Sequence, residues 1–144
     1  MKSFKLIIIS AFMVLIGCKK DSESEKLANF ISSNNIDATL HPDGFYYKII
    51  NNGTGTITPT INSNVSVKYK GTLTNGTVFD EATTPISFYL YQVIEGWQKG
   101  VPLIKTGGKI ILYLPPSLGY GNRAVQSIPA NSILIFEIEL ISIL

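Results

Sequence analysis

The chain is poor in the side chains that most enzymes use for chemistry. Among its 144 residues there is one cysteine, Cys18, and one histidine, His41. A disulfide needs a second cysteine, and a zinc centre draws on about four Cys, His or carboxylate ligands. Neither is expected here, and no metal or cofactor is called for. A Ser-His-Asp or Cys-His device would have to recruit His41. That residue lies in "ATLHPDGF", a polar stretch punctuated by Pro and Gly, and reads as a solvated surface residue. Strong charge of either sign is also missing: twelve Lys and Arg stand against ten Asp and Glu, a net charge of +2. Nothing in that balance points to nucleic acid. Internal repeats and long helical patterns are absent, and the length suits one ordinary domain.

What is present begins with an N-terminal targeting pattern. Lys2 and Lys5 precede an apolar core, "LIIISAFMVLI", from Leu6 to Ile16. It has signal-peptide length and is too short for an ordinary membrane span. The next residues complete Leu15-Ile16-Gly17-Cys18, which resembles a bacterial lipobox. The resemblance implies a signal peptide over 1–17, cleavage before Cys18 and lipidation of Cys18. Several acyl chains on one residue give a stable membrane anchor. Lys19, where an Asp would signal retention, favours the outer membrane, with neither side indicated. Residues 18–43 read as a tether. Its first part, Lys19 to Lys26, is charged and Ser-rich and cannot bury a core. "EKLANFISSNN" is patterned for one short helix, with Leu27, Phe30 and Ile31 on one face.

From Gly44 to Leu144 the signal is strands. "NVSVKYKGTL" alternates, with Val65, Val67, Tyr69, Gly71 and Leu73 on one face and Lys68 and Lys70 on the other. Asn75-Gly76 supplies a hairpin turn, after which "TVFD" returns. "ISFYL" points Ile86, Phe88 and Leu90 inward, and "KIILYL" does the same with Ile110, Leu112 and Leu114. The last strand sets Leu134, Phe136, Ile138 and Leu140 against Glu137 and Glu139. This is the pattern of an antiparallel sheet with one wet face. One helical segment interrupts it, around Val93, Ile94, Trp97 and Val101, and Gly100 and Pro102 stop it early. The expectation is an α+β domain over 44–144, a sheet covered by one short helix.

One motif invites a different reading. Gly119-Tyr120-Gly121-Asn122-Arg123-Ala124 fits G-x-G-x-x-A after an apparent strand, the outline of a dinucleotide loop. Such a loop must open a helix inside a crossover of a dozen or more residues. Only "VQSIP" intervenes before Pro129 and the last strand, so there is no room for one.

Taken in order, "VSVKYKGTLTNGTVFD", "VIEGWQKGVPLIKTGGK", "LPPSLGYGNRA" and "IPANSILIFEIELISI" resemble the FKBP-type peptidyl-prolyl isomerases. The resemblance covers about Gly44 to Leu144. It implies an antiparallel sheet of five or six strands curled around a short helix, with a proline-accepting pocket between them. Carried over position by position, it implies an aromatic box from Tyr69, Phe79, Trp97 and Phe136, with Val93, Ile94 and Ile128 beside them. The Ile94 backbone N–H and the Tyr120 hydroxyl are implied as donors to substrate carbonyls. Asp80 is implied at the pocket edge, in a polar network with Tyr69. Ile86 stands where the family usually has an aromatic. The run "EATTP" between Asp80 and Ile86 is short and lacks the arginine that often pairs with the family aspartate. These departures bear on the affinity of a macrolide inhibitor, which the resemblance also implies.

A dry box of this kind suits isomerisation of an X-Pro bond, which needs neither nucleophile nor proton transfer. The implied partners are unfolded or exported proteins containing proline, with the membrane reached through Cys18. A monomer is expected, because some bacterial relatives dimerise through a long helical N-terminal domain and the tether here is short. Two other readings stay open on sequence alone: a proline-peptide-binding chaperone with little turnover, and a structural β-domain of an envelope complex.

Overall fold

The structure, a computed structural model, describes residues 21–144. Cys18 and the apolar run before it lie outside the described residues. The first element is helix α1, Glu23–Ser33. Ser22 caps it: its hydroxyl accepts from the Glu25 N–H at 3.3 Å, and the Glu25 carboxylate accepts from the Ser22 N–H at 2.7 Å. This reciprocal pair is the Ser-x-x-Glu capping box. The charged stretch expected to be tether as far as Lys26 is therefore helical from Glu23 onward. Its serines and glutamates satisfy the end of a helix instead of solvating a loop.

Six strands follow: β1 Thr39–Leu40, β2 Tyr46–Asn51, β3 Asn64–Thr72, β4 Val78–Tyr89, β5 Lys109–Leu114 and β6 Leu134–Ile143. They form one sheet in the order β1-β2-β5-β6-β3-β4, with every pair antiparallel. The alternation seen in the sequence sets the register. Val65, Val67, Ile110, Leu112, Leu114, Leu134, Ile138 and Leu140 are fully buried, and they belong to one core. On the opposite face Lys68 pairs in register with Glu139, and Lys70 with Glu137. Opposite charges directly across a ladder favour that register.

Two expectations about the sheet change. "TVFD" and "ISFYL" are not separate strands, because β4 runs unbroken through Pro85 with an irregular register between its pairings to Val67 and Tyr69. As an edge strand, β4 can carry a proline that has no ladder donor. The far face is also not wet throughout. Leu27 and Ile31 of α1 bury against Tyr113, with Ile111, Ile133 and Ile135 packed around them. This second, smaller core covers the β5 end of the face and leaves Glu137 and Glu139 exposed.

Helix α2, Glu95–Gly100, crosses the inner face and is flanked by 3-10 turns at Leu90–Gln92 and Val101–Leu103. It lies flush on β5 because two of its contact residues have no side chain. A Cβ on Gly96 would stand 2.3 Å from a Leu114 methyl, and one on Gly100 would stand 2.5 Å from a Leu112 methyl. Between those glycines α2 presents Trp97. His41 proves to be half-buried and not simply solvated: it stacks on Phe45 at 4.4 Å between ring centroids, and its Nδ1 accepts from the Asp43 N–H.

Candidate active site

Between α2 and the concave side of the sheet lies a cavity of about 370 Å³. Trp97 from α2, only 4% exposed, meets three other rings nearly at right angles: Tyr69 at 5.1 Å, Phe136 at 5.4 Å and Phe88 at 6.0 Å. Phe79 stands edge-on to Phe136 at 5.4 Å. Edge-to-face contacts of this kind are the favoured aromatic geometry, so the rings hold one another as well as the space they enclose. The Trp97 indole N–H is buried among them without a hydrogen-bond partner among the described residues. Val93, Ile94 and Ile128 complete the apolar lining.

The polar groups are few. Asp80 lies on the cavity wall and accepts a 2.7 Å hydrogen bond from the Tyr69 hydroxyl. No ion pair joins Asp80 to a basic side chain among the described residues, and Arg123 is not its partner. Tyr120 lines the cavity from the loop after β5 and is 38% exposed. Two different needs explain its flanking glycines. Gly121 takes a φ of +62°, whereas Gly119 has an ordinary negative φ but would push a Cβ to 2.7 Å from a Leu134 methyl. The apparent nucleotide loop opens no helix. It runs instead into a tight two-residue turn closed by reciprocal Val125 and Ile128 hydrogen bonds.

Of the residues picked from the sequence, Tyr69, Phe79, Asp80, Val93, Ile94, Trp97, Tyr120, Ile128 and Phe136 come together around this cavity. Ile86 does not. It is 42% exposed and absent from the lining, where Phe88, two residues on, stands instead. Ile86 pairs with Val67 and Phe88 with Val65, two positions apart on one face of the strand. The inward alternation of "ISFYL" was the signal that could have selected Phe88. Gln92, Val125 and Gln126 also line the cavity and carried no signal in composition or periodicity. A second cleft, of about 460 Å³, lies between α1 and the β3–β4 turn, but its walls are mostly polar and contain no aromatic ring.

Both phenols at the site titrate above the ordinary tyrosine value of 10.0. For Tyr69 the cause is burial first, then the Asp80 carboxylate that accepts its hydrogen bond; for Tyr120 it is burial, then the Asp80 charge. A phenol with a raised folded value contributes stability that is complete below its unfolded value and lost as pH climbs through the folded one. The denaturation midpoint should therefore hold from neutral pH to about 10 and fall above it, less steeply in Tyr69→Phe. Equal slopes for the two proteins in urea titrations above that pH would contradict the Tyr69–Asp80 assignment.

A curled antiparallel sheet, a short helix laid across it and an aromatic cavity with one carboxylate at its edge define the class of fold implied by the sequence motifs. Residues 55–141 match the model of the FKBP-type peptidyl-prolyl cis-trans isomerase family, and the chain belongs to that family. It is 50% identical over 103 residues to the FKBP-type peptidyl-prolyl cis-trans isomerase FkpA of Buchnera aphidicola subsp. Schizaphis graminum, covering 69% of this chain and 41% of that protein. The crystal structure of FkpA from Escherichia coli superposes with a TM-score of 0.75 at 38% identity, over 84% of this chain and 57% of the other. A peptidyl-prolyl cis-trans isomerase structure from Pseudomonas syringae pv. tomato gives 0.74 at 30% identity, over 86% and 98%. The chain thus spans about two fifths of the length of the Buchnera relative.

Proposed function

We propose that the chain is a peptidyl-prolyl cis-trans isomerase acting on X-Pro bonds of exported proteins. The observation that carries this reading is the aromatic-lined cavity with Asp80 as the one carboxylate in its lining. Rotation about an X-Pro bond is slow because amide resonance must be broken, at a cost of about 18–20 kcal/mol for a peptide bond, and it takes tens to hundreds of seconds unaided. A catalyst needs only to bind the twisted amide more tightly than either planar form. The twisted amide has lost resonance and is less dipolar, so a dry site costs it less than it costs the planar form. Trp97 forms the floor for the proline ring, with Tyr69, Phe79, Phe88 and Phe136 as walls. The Ile94 N–H and the Tyr120 hydroxyl donate to carbonyls of the bound peptide. Asp80, held by Tyr69, faces the reacting amide at the rim.

The test is a proline-peptide isomerisation assay on the chain from residue 19 onward. The expected result is a rate above the uncatalysed background for at least some X-Pro peptides. Peptide binding without added rate would replace the enzyme with a chaperone-type binding module. Neither binding nor rate would leave only the fold. The lack of a basic partner for Asp80 among the described residues and the short run 81–85 argue for weak inhibition by a family macrolide.

The domain acts as a monomer in the cell envelope, held by lipid on Cys18, most consistently at the outer membrane. The lipobox-like sequence supports this reading. Incorporation of labelled fatty acid that disappears in Cys18→Ser is the expected result, and equal labelling of both would refute the anchor. Light scattering that gave a dimer mass would refute the monomer.

A further inference from the structure

Ile94 lines the cavity and its N–H has no hydrogen-bond partner among the described residues, while the peptide that carries it is held at its carbonyl end. That peptide unit joins the Val93 carbonyl to the Ile94 N–H. The carbonyl accepts a 2.9 Å hydrogen bond from Gln98 Nε2, and the same nitrogen reaches the Tyr91 carbonyl at 3.5 Å. Both partners are acceptors, so the Gln98 amide must present its NH₂ to them. The next carbonyl, Ile94 C=O, takes the backbone N–H groups of Trp97 at 3.0 Å and Gln98 at 3.3 Å. Gln98 is half-buried one residue after Trp97, on the same short helix.

We infer that Gln98 is a positioning residue for isomerisation, acting through the Val93–Ile94 peptide on the Ile94 N–H. The peptide unit is planar and trans, with its N–H pointing opposite to its C=O. Fixing the carbonyl toward α2 therefore fixes the N–H away from it. A hydrogen bond accepted at the carbonyl also polarises the unit, strengthening the donor at its other end by roughly 10–30%. Without the Gln98 amide the turn joining the 3-10 helix to α2 keeps no side-chain restraint on that carbonyl among the described residues. This inference rests on the isomerase reading for its kinetic consequence, but not for its geometry.

The test compares the full chain with Gln98→Met, which keeps length and loses the donor, and Gln98→Glu, which keeps shape and places acceptors against two carbonyls. Gln98→Lys restores a donor. Expected are a five- to tenfold loss of kcat/KM in the Met variant, at least as much in the Glu variant and partial recovery in the Lys variant. The Ile94 amide proton should move upfield in Gln98→Met. It should also respond less to a tetrapeptide containing a Leu-Pro bond, read by NMR on samples shown to be folded. A folded Gln98→Met protein with kcat/KM within twofold of the parent, or with an unmoved Ile94 amide, would overturn the inference. If the parent itself gives no rate, the isomerase reading fails, and the amide shifts on peptide titration still decide the role of Gln98.

Discussion

Gly71→Ala should lower kcat/KM for X-Pro isomerisation by one to two orders of magnitude while the chain stays folded. Gly71 sits on β3 behind two walls of the cavity. A Cβ there would lie 2.6 Å from two atoms of the Phe79 ring and 2.9 Å from one atom of Phe136, closer than side chains pack. Something must move, and Phe79 is the freer ring: it is only partly buried on the edge strand, whereas Phe136 is 4% exposed in a central one. Overpacking of this kind costs roughly 1–3 kcal/mol of stability. The kinetic loss is larger because a displacement of about 1 Å at a reacting site can cost about a hundredfold. Thermal melting and the isomerase assay separate the two effects. Adding Phe79→Leu to Gly71→Ala should return stability without returning rate, since the clash goes but the wall stays lost. Activity of Gly71→Ala within twofold of the parent would remove Phe79 from the site.

Leu112→Ala is expected to be among the most destabilising single changes in the sheet, at about 3–4 kcal/mol within the 2–5 kcal/mol typical of buried leucines. Leu112 is fully buried on β5, and its methyls fill the space where Gly100 has no side chain. Truncating it opens a cavity directly beneath the end of α2, the helix that carries Trp97. The rate should therefore fall along with stability, even in the fraction that remains folded. Ile111→Ala, one residue away on the other face and only partly buried under α1, should cost clearly less and leave the rate unchanged. Urea denaturation of both variants checks the contrast. Equal losses at the two positions would mean that the α2 face does not carry the main core.

The parts of this fold that were legible in the sequence are those written in local pattern. Alternation along "NVSVKYKGTL" and "KIILYL" gave strand faces correctly, because a strand's two faces follow from period two alone. The cavity residues came from motif blocks, and most of them meet as implied. What escaped depends on contacts between distant segments. Nothing local tells that α1 packs on Tyr113, far along the chain, so the short helix expected within the tether proves to be docked and a face expected to be wet is covered. Ile86 and Phe88 share a strand face, so alternation alone did not rank them, and only the packed structure shows that Phe88 and not Ile86 lines the cavity. Gln98 was not singled out by any sequence pattern. Its role lies in two carbonyls of the turn before α2, which only the bend of the chain brings within reach.

The single tryptophan of the whole chain lines the cavity. Its ultraviolet emission is therefore a label already built into the place of interest, with no second indole to dilute the signal. Buried and ringed by Tyr69, Phe88 and Phe136, it should emit at short wavelength in the native protein and shift red on unfolding. A proline-containing peptide settling on the indole face should change its intensity directly. Peptide affinity, unfolding and the consequences of every substitution discussed above can thus be followed on one unmodified protein, through one optical transition.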